Sequence, residues 1–313
     1  MKTDQASLAV GGTGTLSRTR VIRKIKAMLI RRLLQACGLL SVFITFAIIF
    51  ILFSESLGFF KEVSLIDFLT DTQWTPLFIN KHYGILPLLM GTLLTTFIAV
   101  VVAVPLGLTS AVYLSEYASR KARNIIKPVL EILAAIPTVV YGYFALLFIT
   151  PVLKNIFPGI AGFNALSAGI VMGVMIIPLV SSLSEDAMHA VPNGLREGAY
   201  ALGSRKIQVA FKIVFPAALS GITAAIILSL SRAIGETMIV AIAAGQQPNF
   251  TLNPLVPIET ITAYIVQVSL GDTPHGTLEY KTIFVCGLML FIVTFILNVV
   301  SFKLKTRFQN VYD

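Results

Sequence analysis

Six long apolar runs dominate the chain, each at or above the roughly 20 residues that a helix needs to cross a bilayer core. They cover 33–53, 85–114, 132–153, 156–184, 217–244 and 282–302. Five of the six carry no charge, and the fifth in order contains Arg232 and Glu236. Each run predicts one membrane-spanning helix, so the expected fold is an all-α integral membrane protein with six transmembrane helices. Pro87, Pro105, Pro137 and Pro178 lie inside or beside the runs. They are compatible with spans, because neighbouring helices and local kinks re-satisfy the freed backbone groups. The polar remainder consists of a basic tail over 1–30, loops between the runs, and a cytoplasmic loop at about 185–216 within a transmembrane domain covering 31–313.

Charge sets the orientation. Nineteen of the 24 Lys and Arg residues fall in the tail 1–32, in the loops after the second and fourth runs, and at the C-terminal end. Lys and Arg collect on the cytoplasmic side of a membrane, so both termini are expected to be cytoplasmic. The net charge of +9 then reflects topology and gives no reason to expect nucleic acid as a partner. Composition agrees: 56% of residues are hydrophobic and 12% charged, about half the charge of a soluble domain. An ordinary soluble enzyme is excluded. The first run is too long for the core of a signal peptide, and no small-residue cleavage site follows it, so a retained helix is expected.

No motif for catalysis or metal binding occurs. The chain contains no G-x-x-x-x-G-K-[ST] phosphate loop, no H-E-x-x-H and no G-x-S-x-G. Gly11, Gly12 and Gly14 follow no strand, and a flexible tail is expected there. His82, His189 and His275 are not spaced as metal ligands, and Cys37 and Cys286 lie inside apolar runs. Catalytic, metal and cofactor residues are therefore expected to be absent. In the external segment 55–84, two readings stand: a short interfacial helix with Trp74 as its anchor, and a docking surface for an external partner. The apolar stretch 258–270, too short to span, is expected to pack across the outer mouth.

The informative loop is VPNGLREGAYALGSRKIQVAFKIVFP, at 191–216. Asn193 or the Pro192 turn starts a short helix, with Leu195, Ala199 and Leu202 on one face and Arg196 and Glu197 beside it. Gly203 ends that helix in the left-handed conformation. Ser204 is positioned to cap a second helix running toward Pro216. The result is a helical elbow presenting an apolar knob with a charged rim to a cytosolic partner.

Glu197-Gly198-Ala199, Gly203, Ile213 and Pro216 resemble the E-A-A…G…I-x-L-P signature of ABC importer permeases, with Gly198 and Phe215 as departures. Tyr113–Tyr117, the segment 136–142, the segment 231–237 and the segment 267–272 are similar to the phosphate-specific transport (Pst) permeases. The segment 267–272 and the region around Trp74 are more like the PstC-type than the PstA-type subunit. The resemblance covers about 35–305. It implies a type I (MetI-like) permease fold in the bacterial inner membrane and a translocation subunit that is not itself an enzyme. The implied partners are a second, PstA-type permease, a homodimeric ATPase that binds ATP and Mg, an extracytoplasmic phosphate-binding protein, and membrane lipid. Arg196, Glu197, Gly198, Ala199 and Gly203 would couple to the ATPase. Importers of sulfate or molybdate remain an alternative. A lone ion-coupled carrier is disfavoured, because no repeated halves with paired broken helices are visible.

Arg232 lies near the middle of the fifth run. A central Arg costs about 2.5–3.5 kcal/mol on insertion scales, so intramembrane ions are functional candidates. Glu236 follows at i+4, and Ser229 shares the same stripe. Two roles stand side by side: a transient phosphate site on the guanidinium fork, and a structural ion pair between Arg232 and Glu236. Glu131 is explained by an interhelical hydrogen bond or by snorkelling. Ser181, Ser182 and Ser184 are lesser candidates for an exit lining.

Overall fold

The computed structural model describes the backbone of residues 13–309 and side chains over 26–303. Among these residues the fold is helical apart from two isolated bridges, Trp74–Tyr83 and Gly245–Ile258. The chain divides into two compact units, 1–54 and 55–313.

In the first unit, helix α1 (Thr13–Phe60) begins well inside the segment expected to be a tail. The backbone is therefore helical from Thr13 onward, while Gly11 and Gly12 fall outside the described residues. Side chains over 26–54 are exposed or half-exposed. They form bare hydrocarbon of the kind a lipid phase covers.

The second unit is organised around α3 (Leu86–Val112) and α7 (Ala165–His189). These run parallel in very close contact, and glycine permits it. A Cβ at Gly169 would lie 2.7 Å from Ile98, one at Gly173 2.8 Å from Val102, and one at Gly107 2.7 Å from Val180. Small residues bring membrane helices together in this way, because packing and not water exclusion drives their association. The helix α7 starts at Asn164, whose Oδ1 accepts from Ser167 N at 2.7 Å, a standard N-cap.

Around this pair stand α4 (Arg120–Ala135), α5 (Thr138–Phe144), α6 (Thr150–Ile156), α11 (Leu219–Ile234), α12 (Met238–Ala243) and α13 (Ile261–Leu270), with α14 (Leu278–Gln309) on α11 and α13. The central core includes Ala99, Met172, Ile176, Ile239 and Ile258. A second core at the α3 N-terminal end gathers Phe59, Phe68 of the short α2 (Leu65–Thr70), Trp74, Ile85 and Tyr264. A third, at the opposite, Lys- and Arg-rich end, holds Met188, Val209, Val214 and Ile222.

Among the described residues, five helices are long and apolar enough to cross a membrane, and a sixth crossing exists if the bent pair Lys206–Ala217 and Leu219–Ile234 acts as one span. That pair bends by 71° at Ala218. Three of the six expected runs are interrupted. The third breaks at Ile136-Pro137, because a residue before proline is pushed out of the α region; its first part belongs to amphipathic α4, which buries no residue. The fourth loses 157–164 to a loop and starts at Ala165. The fifth stops at Ile234, with Gly235 as C-cap, and resumes at Met238. The coupling loop expected from about 185 begins later, since α7 continues to His189. Trp74 is no interfacial anchor: it is 1% exposed and packs edge-on against Tyr264 at 5.0 Å. The stretch expected across the outer mouth includes α13, whose Ile261, Thr262, Ala263, Tyr264 and Val268 are buried.

Candidate functional site: the elbow and the Arg232 cavity

The elbow forms much as its residues dictate. Helix α8 (Asn193–Ala201) ends at Gly203, whose φ is +79°. Gly203 N donates to Tyr200 O at 2.9 Å and Ser204 N donates to Ala199 O at 3.1 Å. This pair of bonds is the Schellman arrangement, which favours glycine at the left-handed position. The next helix, α9 (Lys206–Val209), starts one residue later than Ser204 capping would require. Gln208 Oε1 accepts from Arg205 N at 2.9 Å and closes its first turn. A wide π turn (Ala210–Val214) and short α10 (Phe215–Ala217) then lead to the bend at Ala218.

Ala199 is buried against Val209 and Val214, so it anchors the elbow from within. Glu197, Gly198 and Gly203 are exposed. A Cβ at Gly198 would meet nothing within 4 Å, so packing does not demand glycine there. Tyr200, Leu202, Ile207 and Phe211 form an uncovered apolar knob, with Leu202 88% exposed.

Arg196 departs from the expected charged rim. Its guanidinium turns inward, donating from Nη1 to Val191 O at 2.6 Å and from Nη2 to Met188 O at 2.8 Å. The same Nη2 pairs with Glu116 Oε1 at 3.0 Å. Glu116 belongs to a π turn (Tyr113–Tyr117) that closes α3, and Lys206 Nζ lies 5.1 Å above the Tyr117 ring. One side chain therefore clamps α8 to the ends of both α3 and α7. Nothing in the periodicity of 191–216 shows this, because its acidic partner is 80 residues away.

Above the elbow lies a cavity of about 390 Å³, lined by Lys127 and Glu131 of α4, by Met175, Ser182 and Glu185 of α7, and by Arg232. Ser182 is thus the one member of the serine set on its wall, while Ser181 and Ser184 are fully buried. Glu185 is also fully buried and holds both Arg123 and Lys127, the latter at 2.6 Å from Oε2. The sequence reading missed this ionic cluster. Its only trace is a glutamate one residue beyond the uncharged fourth run, facing a basic loop.

Arg232 stands in the last turn of α11 and is exposed in the isolated chain. Its Nη2 donates to Met175 Sδ at 3.9 Å. Among the described residues it forms no ion pair. Glu236 does not reach it, because the helix breaks at Gly235 and the i+4 relation is lost. Instead, Glu236 is 7% exposed and its Oε1 accepts from Ile239 N at 3.4 Å. Its backbone oxygen accepts from Thr262 Oγ1 at 2.7 Å, which ties the break to α13. Ser229 is buried and donates to Ala225 O within its own helix. The cavity therefore receives Arg232, but neither Glu236 nor Ser229 lines it.

Residues 103–310 match the family described as "Binding-protein-dependent transport system inner membrane component". The chain belongs to that family. It is 32% identical over 294 residues to a probable ABC transporter permease protein, YqgH, of Bacillus subtilis, covering 93% of this chain and 95% of the relative. It is 34% identical over 265 residues to the phosphate transport system permease protein PstC of Xylella fastidiosa, covering 78% and 80%. Among solved structures, a bacterial ABC transporter for alginate import matches with a TM-score of 0.60 at 16% identity, over 94% of this chain and all of that one. The MetNI methionine ABC transporter matches with a TM-score of 0.53 at 18% identity, over 72% and 94%. The fold is thus that of type I importer permeases. The chain is an ABC-importer permease of the bacterial inner membrane, a transport subunit with no catalytic role of its own.

Proposed function

We propose that this permease is the PstC-type translocation subunit of an ATP-driven phosphate importer. The observation that carries the proposal is Arg232: a guanidinium within an apolar stretch, without a carboxylate partner among the described residues, opening on a 390 Å³ cavity. An ionisable group at membrane depth faces a bundle interior or a watery cavity, and this one is exposed in the single chain. A second, homologous permease covering that face turns the cavity into a closed pathway. The planar fork of Arg then offers two parallel donors to a phosphate oxyanion. The PstC name of relatives such as the Xylella fastidiosa protein supports phosphate as the cargo.

The elbow docks on the ATPase dimer, with Tyr200, Leu202, Ile207 and Phe211 as its apolar contact and Glu197 at its edge. It lies on the cytoplasmic side together with both termini, and an extracytoplasmic binding protein delivers phosphate at the Trp74 end. Arg196 acts inside the elbow and transmits force to α3 and α7. Glu236 holds the break through which α11 reorients.

The test is phosphate uptake against ATP hydrolysis in the reconstituted complex. Arg232→Gln removes charge-assisted hydrogen bonds each contributing about 1.5–3 kcal/mol, so uptake falls at least about tenfold. Arg232→Lys keeps the charge, loses the fork and falls between. Normal uptake by the Gln variant, or uptake driven by an ion gradient without ATP, refutes the assignment.

A further inference from the structure

At the Trp74 end a second chamber, of about 110 Å³, is walled by Trp74, Thr75, Gln246, Glu259, Tyr264 and Gln267. Two of its polar groups are buried without a partner. Glu259 is 2% exposed and its Oε1 has no hydrogen bond; Trp74 is 1% exposed and its indole Nε1 has none. Buried polar groups are nearly always satisfied, and two orphans on one chamber mark a place where a guest belongs. Gln246 on the same wall is the only described non-glycine residue with positive φ, at 48°, and strained backbone of this kind clusters at ligand sites. The volume suits several waters or one tetrahedral anion.

An outer cleft of about 500 Å³ shares Pro76, Leu77, Phe78 and Gln267 with the chamber, and is lined by Lys81 together with Asp272 and Glu279. Glu259 lies three residues before Thr262, whose hydroxyl donates to Glu236 O at the break in the fifth run. The chamber thus shares a wall with the outer cleft, and its Glu259 stands three residues from the contact that holds the hinge beside Arg232.

We propose that this chamber is an oxyanion site on the way into the permease, with the Glu259 carboxyl and the Trp74 indole N–H as its hydrogen-bond donors. Only the identity of the anion rests on the phosphate assignment. A carboxyl donates only when it carries its proton, and burial pushes that of Glu259 up to about 8. The titratable groups facing it are Tyr264 on α13 and Cys286 on α14, and no Lys, Arg or His among the described residues pairs with it. At neutral pH the chamber therefore presents donors. Above about pH 8 the ionised carboxylate repels an anion.

Trp74 is the single tryptophan of the chain, so its emission reads the chamber directly in the full-length protein in nanodiscs. Sulfate, whose charge is constant over the relevant range, and inorganic phosphate are the probes. At about pH 7 both produce a saturable change in Trp74 emission. At about pH 9, one unit above the Glu259 value, sulfate binds about tenfold more weakly. Glu259→Gln, which keeps a donor and cannot ionise, binds sulfate equally at both values. No response to either anion at pH 7, or equal weakening in the Gln variant, overturns the proposal. Should that variant fail to fold, the wild-type protein still decides: unchanged sulfate affinity between pH 7 and pH 9 overturns it. Phosphate uptake is a separate readout. An intact sulfate response with no phosphate uptake by the complex sinks the phosphate assignment and leaves the chamber standing.

Discussion

Arg196→Ala removes the clamp at the root of the elbow, and the structure sets the size of the effect. The wild-type side chain satisfies two main-chain carbonyls, Met188 O and Val191 O, and the carboxylate of Glu116. The pair is largely buried, with 13% and 6% of the two side chains exposed. Breaking such a pair from one side costs about 3–5 kcal/mol, because the other charge stays buried and alone. Partial water entry at the elbow surface lowers this, and we expect a loss of about 3 kcal/mol. Arg196→Lys keeps a charge but not the fork that reaches carbonyls and carboxylate together, so it loses roughly half as much. The double variant Arg196→Ala with Glu116→Gln removes the stranded charge and recovers about 1–2 kcal/mol. Unfolding of the purified chain in mixed micelles gives these free energies, and uptake per ATP hydrolysed in the complex reads coupling. A single-variant loss under about 1 kcal/mol, or strict additivity in the double variant, means that the clamp does not bear the load assigned to it.

Two further outcomes follow from particular residues. Gly203→Ala places a Cβ at φ +79°, which costs about 1–2 kcal/mol; a thermal melt shows the modest loss, and stimulation of the ATPase by the loaded binding protein falls with it if the elbow turn transmits force. For Glu259, the folded state holds its proton up to about pH 8, whereas the unfolded carboxyl releases it near the ordinary carboxylate value of 4.5. Its contribution to stability is therefore greatest below about pH 4.5, falls as pH rises to about 8, and is flat above. Glu259→Gln escapes this penalty, so the variant is more stable than wild type by about 5 kcal/mol at pH 8.5 and nearly equal to it at pH 4; unfolding titrations at the two pH values measure the difference.

How much was legible in the sequence depended on the range over which each feature is determined. The apolar runs and the elbow are local: α8, its stop at Gly203 and the approach to Pro216 follow from residues within a few positions. The breaks within the runs were harder to see. Hydropathy does not register that Ile136-Pro137 divides an interfacial helix from a span, or that Gly235 ends α11 one residue before Glu236. The i+4 spacing of Arg232 and Glu236 suggested a pair because it assumed one unbroken helix. Least legible were contacts between distant segments. Glu116 with Arg196, and Glu185 with Arg123 and Lys127, depend on α3, α4 and α7 meeting at one end. Trp74 looked like an interfacial anchor for the same reason, since its place beside Tyr264 is fixed by α13.

The placement of the breaks gives the proposed mechanism its mechanical logic. Between the bend at Ala218 and the break at Gly235 lies α11, an uninterrupted 16-residue helix about 24 Å long. The elbow is joined to its first turn and Arg232 stands in its last, so the two candidate sites occupy the ends of one rod with a joint at each end. A displacement of α8 and α9 reaches Arg232 through that rod, while the close α3–α7 pair, held to α8 by Arg196, moves as one body. Gly169 and Gly173 leave no free space for that pair to shift. Tilting about Ala218 carries the guanidinium at the far end of the rod, and Thr262 holding Glu236 O makes α13 the stop. On this arrangement, stiffening either joint impairs transport while leaving the docking of the ATPase intact, and loss of docking together with transport on changing Gly235 to a β-branched residue is the result that the lever does not allow.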